Sequence, residues 1–161
     1  MENKIHMNIP IIGVTIREVA PKPDARGSFT EILRKDWNIL PEISQVSYSR
    51  TYPGIIKAFH MHGGQNETWF VIGGNARVVL FDRRKDSASK GKTFEVIMGA
   101  SSGKYLLYIP HGVAHGYQVL GNEPVEMLYI ADTVYSYEKP DEIRFPFDDP
   151  DIGFDWSIKN R

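Results

Sequence analysis

Turn-forming residues interrupt this chain at short intervals, and the stretches between them are rich in Val, Ile, Tyr, Phe and Thr. Ten such runs stand out: 11–16, 28–33, 43–50, 55–62, 68–72, 76–81, 93–98, 105–109, 116–120 and 125–131. Short β-prone runs at this spacing predict an all-β, antiparallel sandwich or barrel. Gly73-Gly74-Asn75 lies between two runs and tolerates positive φ, which predicts a β-hairpin there. Only 34–40 and 82–89 read as short helical turns or loops. Val78-Val79-Leu80-Phe81 is apolar on both faces, so a surface helix, a partner strand or a dimer contact should cover its outer side. The Pro- and Asp-rich segment 138–150 reads as an ordered surface segment, with Trp156 pinning the tail beyond it. The 161 residues contain no repeat or low-complexity linker, which predicts one domain over 1–161.

Composition removes several classes of function. Nineteen basic and twenty acidic residues leave a formal charge of −1, so no global field draws the chain to nucleic acid or to an anionic membrane. No apolar stretch approaches membrane-spanning length, and the charged start at Met1–Lys4 has no hydrophobic run after it, unlike a signal peptide. The chain has no cysteine, which excludes disulfides and thiolate chemistry and fits a reducing, cytoplasmic setting.

The five histidines are therefore the obvious reactive groups, and four of them fall in two clusters. In a strand, His60 and His62 point to the same face, and Glu67 opens the next strand, where it can lie opposite them. His115 is expected just past a strand end, open to a ligand. Two histidines aimed into one apolar interior are costly unless paired or used, so His60 and His115 are functional candidates. His62 and Glu67 could simply share a charge-assisted hydrogen bond. His111 reads as a surface turn residue.

The spacing Gly54, five residues, His60-x-His62, four residues, Glu67, six residues, Gly74 resembles the first signature of the cupin superfamily. Pro110-x-Gly112-x-x-His115 resembles the second, with Val119 where Asn is usual. Flanking motifs resemble one family within it, the dTDP-4-dehydrorhamnose 3,5-epimerases. These are Asp24-Ala-Arg26-Gly27-Ser-Phe29-Thr-Glu31, the strand Gln45-Val-Ser47-Tyr-Ser49, Lys57-Ala-Phe-His60, Val79-Leu-Phe-Asp82-Arg-Arg84, Ile109-Pro-His-Gly112-Val-Ala-His115-Gly-Tyr117, and Gly153-Phe-Asp-Trp156. The resemblance implies a cupin-type jelly roll with few short helices, assembled as a homodimer that exchanges strands. It also implies metal-free enolate chemistry on a nucleotide-linked 4-keto-6-deoxyhexose for deoxysugar or surface-polysaccharide synthesis. Carried over by residue, His60 is the base, Tyr129 the proton donor, and His115 a group near the sugar. Arg26, Phe29, Glu31, Gln45 and Ser47 contact the nucleotide, and Lys57 holds diphosphate without the bidentate fork of the family's Arg.

The chain departs from that family at two places. Glu67 stands where the family has a Lys that stabilises the enolate oxygen, which inverts the local charge. The family also pairs its base with a carboxylate beyond the Trp156 segment. Only Ser157–Arg161 follows here, without a carboxylate, so His60 needs another orienting partner, Asp82 or Glu67. Two readings of Glu67 stand open. Either it pairs with His62 or Lys57 in a cofactor-free enzyme, or His62, Glu67 and His115, with or without His60, hold a divalent ion that acts as Lewis acid in place of the Lys. A metal-dependent cupin enzyme on another small substrate and a non-catalytic sugar-nucleotide-binding module are the competing functions.

Overall fold

The structure is a computed structural model and describes residues 7–157. Among them are twelve strands: β1 (Thr15–Glu18), β2 (Lys22–Asp24), β3 (Gly27–Phe29), β4 (Gln45–Thr51), β5 (Ile56–His62), β6 (Glu67–Gly73), β7 (Asn75–Asp82), β8 (Thr93–Gly99), β9 (Tyr105–Ile109), β10 (Val113–Leu120), β11 (Val125–Ala131) and β12 (Glu142–Arg144). Among the described residues the only helical element is a 3₁₀ turn at Lys35–Trp37, inside the predicted 34–40 segment. In the 82–89 segment Asp82 ends β7 and 83–89 form a loop.

Two five-stranded antiparallel sheets face each other, β1-β9-β6-β11-β4 and β12-β5-β10-β7-β8, with β2-β3 as a separate ribbon. Most consecutive strands change sheet: β4 to β5, β5 to β6, β6 to β7, β8 to β9, β9 to β10, β10 to β11 and β11 to β12. That alternation is the jelly roll, and the all-β expectation holds. It also corrects one local expectation, because Gly73-Gly74-Asn75 is not a hairpin. β6 and β7 belong to different sheets, and Gly74, at φ +69°, is the corner between them. A Cβ there would stand 2.3 Å from the Pro124 carbonyl oxygen, so the corner packs against the β10–β11 loop and admits only glycine.

The core follows the strand pattern. In β8, Phe94, Val96 and Met98 are buried and alternate with exposed Thr93, Glu95 and Ile97. They meet Val78 and Leu80 of β7 and, from the facing sheet, Trp69, Val71, Leu107 and Met127. The outer side of β7 is covered differently from any of the three expected ways. Val79 packs in a second cluster with Phe59, Ala114, Ile152 and Trp156, so the chain's own C-terminal segment closes that face. Trp156 does pin it: its ring lies 5.4 Å from Phe59, and its Nε1–H donates to the Phe147 carbonyl at 2.8 Å. Local sequence could not reveal this cover, because segment and strand lie far apart in the chain.

Several boundaries differ from the sequence reading. The 11–16 run becomes β1 only from Thr15, and the 28–33 run is a strand only as far as Phe29. β2 and β12 were not expected. β12 has no apolar alternation of its own and exists because it pairs with the edge of β5, Glu142 to His62 and Arg144 to His60. The segment 138–150 is therefore partly a wall of the sheet. Residues 1–4 and 158–161, on which the leader and tail-carboxylate expectations bear, lie outside the described residues.

Candidate active site

β5 and β10 are neighbours, and their register sets His60 directly opposite His115. Contrary to the sequence reading, His115 does not lie past a strand end. The turn at Pro110–Gly112 closes early, β10 starts at Val113, and His115 is only 1% exposed. Gly116 permits this close pairing: a Cβ there would stand 2.3 Å from the Ala58 Cβ. Across the sandwich, Glu67 starts β6 and points at the same place. His60, His62, Glu67 and His115 each offer one donor atom, and these atoms lie within 4.8 Å of one another.

The contacts within the cluster are specific. Glu67 Oε1 lies 3.1 Å from His62 Nε2, and Oε2 lies 3.4 Å from His115 Nε2. Glu67 also accepts hydrogen bonds from Gln65 Nε2 and Trp69 Nε1, each at 2.8 Å. His60 Nε2 lies 2.8 Å from His115 Nε2. Burial pushes the His60 imidazole well below its ordinary range, and neighbouring His115 adds to the effect. Burial would lower His62 too, but its contact with Glu67 outweighs that and raises it. Burial would raise the Glu67 carboxyl, and the contacts with His115 and His62 outweigh it, holding the group well below the carboxylate range.

Glu67 thus pairs with His62, as one of the two open readings had it, and not with Lys57, whose Nζ donates to Ser49 Oγ at 3.1 Å. Asp82 is not the orienting partner of His60. It is buried at the far end of β7, where Arg84, Ser87 and Ser89 donate to its carboxylate. The group in direct contact with His60 is His115, with Glu67 behind it. His111 is an exposed turn residue whose Nδ1 meets Asn66 Oδ1 at 3.1 Å.

A cleft opens over the cluster as two adjoining cavities of about 430 Å³ and 230 Å³ that share His60, Tyr129 and Glu142. Lys57 and Arg144 line the larger, and Gln45, Ser47, His62 and Glu67 line the smaller. Tyr129 is partly buried against Trp69, at 5.1 Å between ring centroids, and its hydroxyl donates to Tyr117 Oη at 3.2 Å. Burial and the neighbouring Tyr117 push the Tyr129 phenol far up, so it keeps its proton. Tyr117 Oη in turn shares a hydrogen bond of 2.7 Å with Thr51 Oγ1. A separate apolar hollow of about 270 Å³ near Leu33 and Ile43 shares no residue with the cleft and holds no such cluster.

Arg26, Phe29 and Glu31 are not brought to this cleft within the chain. Arg26 and Phe29 lie on the β2–β3 ribbon, where Arg26 pairs with Asp24 at 2.7 Å and Phe29 is 66% exposed. Glu31, just past the ribbon, is held by Lys22 and Arg34. Conversely, sequence reasoning missed Arg144, Glu142, Asp141 and Gln65. The first three lie in or beside β12, whose pairing with β5 no local pattern announces.

The family model for dTDP-4-dehydrorhamnose 3,5-epimerase matches residues 8–161. The chain belongs to the dTDP-4-dehydrorhamnose 3,5-epimerase family. Among curated relatives, the spore coat polysaccharide biosynthesis protein SpsL of Bacillus subtilis is 46% identical over 94% of this chain and 99% of its own length. The probable low-salt glycan biosynthesis epimerase Agl13 of Haloferax volcanii is 35% identical over 91% of this chain and 94% of its own. Among solved structures, a dTDP sugar isomerase from Desulfovibrio desulfuricans superposes with a TM-score of 0.86 at 27% identity, covering 93% of this chain and 94% of that one. The epimerase RmlC of Legionella pneumophila, in complex with dTDP-4-keto-L-rhamnose, gives 0.85 at 25% identity, over 100% and 86% of the two chains. The cleft of this chain is lined by His60, His62 and Glu67, with His115 buried behind His60.

Proposed function

We propose that this enzyme epimerises carbon 3, carbon 5 or both of a dTDP-linked 4-keto-6-deoxyhexose, in deoxysugar synthesis for a surface polysaccharide or glycan. The carrying observation is that the imidazole of His60 and the protonated phenol of Tyr129 line one cleft. The C4 ketone acidifies the hydrogens on its neighbouring carbons. His60 removes one as a proton, leaving an enolate, and Tyr129 returns a proton from the opposite face to invert the centre. Lys57 and Arg144, in the larger cavity, supply the cations that a diphosphate requires locally in a chain of formal charge −1.

The proposal includes a homodimer in which the β2–β3 ribbon reaches the neighbouring subunit's cleft with Arg26 and Phe29. Its exposed Phe29 and its separation from both sheets support this. Sedimentation should give a dimer for the native chain and a monomer for Phe29→Asp, and a monomeric native chain would refute the exchange. The location proposed is cytoplasmic, which the lack of cysteine fits. Among the described residues no helix is long and apolar enough to cross a membrane.

The decisive experiment is incubation with dTDP-4-keto-6-deoxyglucose in deuterium oxide, followed by NMR. Deuterium is expected at carbon 3, carbon 5 or both, and His60→Asn should abolish its incorporation. Native enzyme that binds the nucleotide sugar without exchanging either hydrogen would leave a binding module instead.

A further inference from the structure

We propose that Tyr117 is a positioning residue for the proton donor. From the buried side of the cleft its hydroxyl orients the Tyr129 phenol and stabilises the phenolate that remains after proton transfer. Thr51 completes this chain of hydroxyls. The inference deepens the epimerase reading above and rests on it.

The Tyr129 hydroxyl donates to Tyr117 Oη at 3.2 Å, and Tyr117 Oη shares a hydrogen bond of 2.7 Å with Thr51 Oγ1. Tyr117 lies on β10 in one sheet, while Thr51 and Tyr129 lie on β4 and β11 in the other, so the chain bridges the sandwich. Tyr117 is 1% exposed and Thr51 2%, and Val78, Val119 and Met127 belong to the same apolar cluster as Tyr117. Two hydroxyls buried there bring little net stability, because a Phe and a Val of the same shape would fill the space about as well. Packing therefore does not account for the pair. Its polar end meets Tyr129, which lines the cleft with His60. Trp69 holds both phenol rings in T-shaped contacts, with centroids 5.7 Å from Tyr117 and 5.1 Å from Tyr129.

The direction of these hydrogen bonds gives the chain its role. With Tyr129 donating to Tyr117, the contact helps to keep the proton on the phenol. During inversion that proton goes to the enolate carbon. The enolate C=C electron pair forms the new C–H bond as the ketone re-forms, and the O–H pair stays on Tyr129 Oη. Rotation of the Tyr117 hydroxyl then lets it donate to this phenolate, and Thr51 Oγ1–H donates to Tyr117 in turn. Hydrogen bonds to an ionised acceptor are the strong ones. Tyr117 keeps its own proton throughout. Because Thr51 is buried, the chain ends inside the core, and Tyr129 regains its proton from the cleft side. Ser49 also hydrogen-bonds the phenol, but it is only partly buried and its Oγ accepts from Lys57 Nζ. Tyr117 is the donor shielded from water, where a hydrogen bond to an anion counts most.

The full chain is incubated with dTDP-4-keto-6-deoxyglucose in deuterium oxide, and both epimerised product and deuterium in recovered substrate are measured. Tyr117→Phe should lower kcat for epimerised product about 10–100-fold, the scale of one lost hydrogen bond to a charged group, with KM unchanged within about twofold. Deuterium exchange through His60, with return to the original face, should continue at the native rate. The loss should vanish in the Tyr129→Phe background, because Tyr117 acts through that phenol. Tyr117→Phe combined with Thr51→Val removes both buried hydroxyls and leaves neither unpaired, so it serves if Tyr117→Phe alone does not fold. It should show the same split between product and exchange. Undiminished epimerisation by Tyr117→Phe, equal falls in exchange and product, or a further loss on top of Tyr129→Phe would overturn the inference. A native chain that exchanges no hydrogen refutes the epimerase reading and this inference with it. An active native chain with an equally active Tyr117→Phe refutes this inference alone.

Discussion

The backbone carbonyl of Asp141 accepts the Nδ1 proton of His62 at 3.1 Å, across 79 residues of sequence. The same residue holds the loop after β5, because its carboxylate accepts from the backbone N–H groups of Gly63, Gly64 and Gln65 at 2.9–3.0 Å. Burial would raise that carboxyl, but the three N–H donors outweigh it and lower it. Asp141 is thus a positioning residue for both His62 and Gln65, and so for Glu67.

Asp141→Ala should therefore loosen the loop and lower stability by about 1.5–3 kcal/mol, the usual scale for a hydrogen bond to a charged acceptor. Urea unfolding checks the figure. Asp141→Asn should lose less, since its amide oxygen still accepts. An alanine variant with native stability would show that the three hydrogen bonds contribute nothing net.

Tyr129→Phe separates deprotonation from inversion. The variant keeps the ring against Trp69 but lacks the proton to donate. Deuterium exchange through His60 should persist, with return to the original face, while epimerised product falls by about 10²–10⁴-fold, the typical scale for a general acid. Undiminished product formation would take Tyr129 out of the mechanism.

Asp82 makes acid stability a readable quantity. Burial would raise its carboxyl, but hydrogen bonds from Arg84, Ser87 and Ser89 outweigh that and hold it far below the carboxylate range. Its folded-state pKa is thus depressed relative to the unfolded value of about 3.9, so its contribution is full above that value and lost as pH falls. Removing one partner of a buried pair costs about 3 kcal/mol or more. Asp82→Ala should therefore be less stable than the native chain by about that amount at pH 7. The gap should narrow steadily from about pH 5 to pH 2 in urea titrations. A gap that stays constant with pH would show that the charge is not its source.

Trp156→Ala tests the C-terminal cover of β7. Trp156 is only 7% exposed and packs on Phe59 and Phe154. Truncating such an aromatic costs about 3–5 kcal/mol. A loss below about 1 kcal/mol would mean the segment does not support the outer face.

Much of the architecture could be read from local chemistry. Short runs of β-prone residues, turn residues between the runs, and His60-x-His62 on one strand face depend on near neighbours alone. They announced an all-β sandwich with a histidine-bearing interior, and the family's motifs followed in order. The hairpin expectation at Gly73-Gly74-Asn75 was wrong for an instructive reason. Glycines signal that the chain turns, but not into which sheet it turns.

The amino-acid sequence by itself determined the all-β class, most of the strands and the family, because these follow from residue type and spacing. Only the tertiary structure decided that His115 lies opposite His60, that Glu67 reaches two histidines from the facing sheet, and that Asp82 is occupied elsewhere. It also decided that β12 walls the cleft with Arg144 and that Trp156 covers β7. Each of these is a contact between segments far apart in the chain. Such contacts depend on how two sheets pair and pack, and no local pattern encodes that.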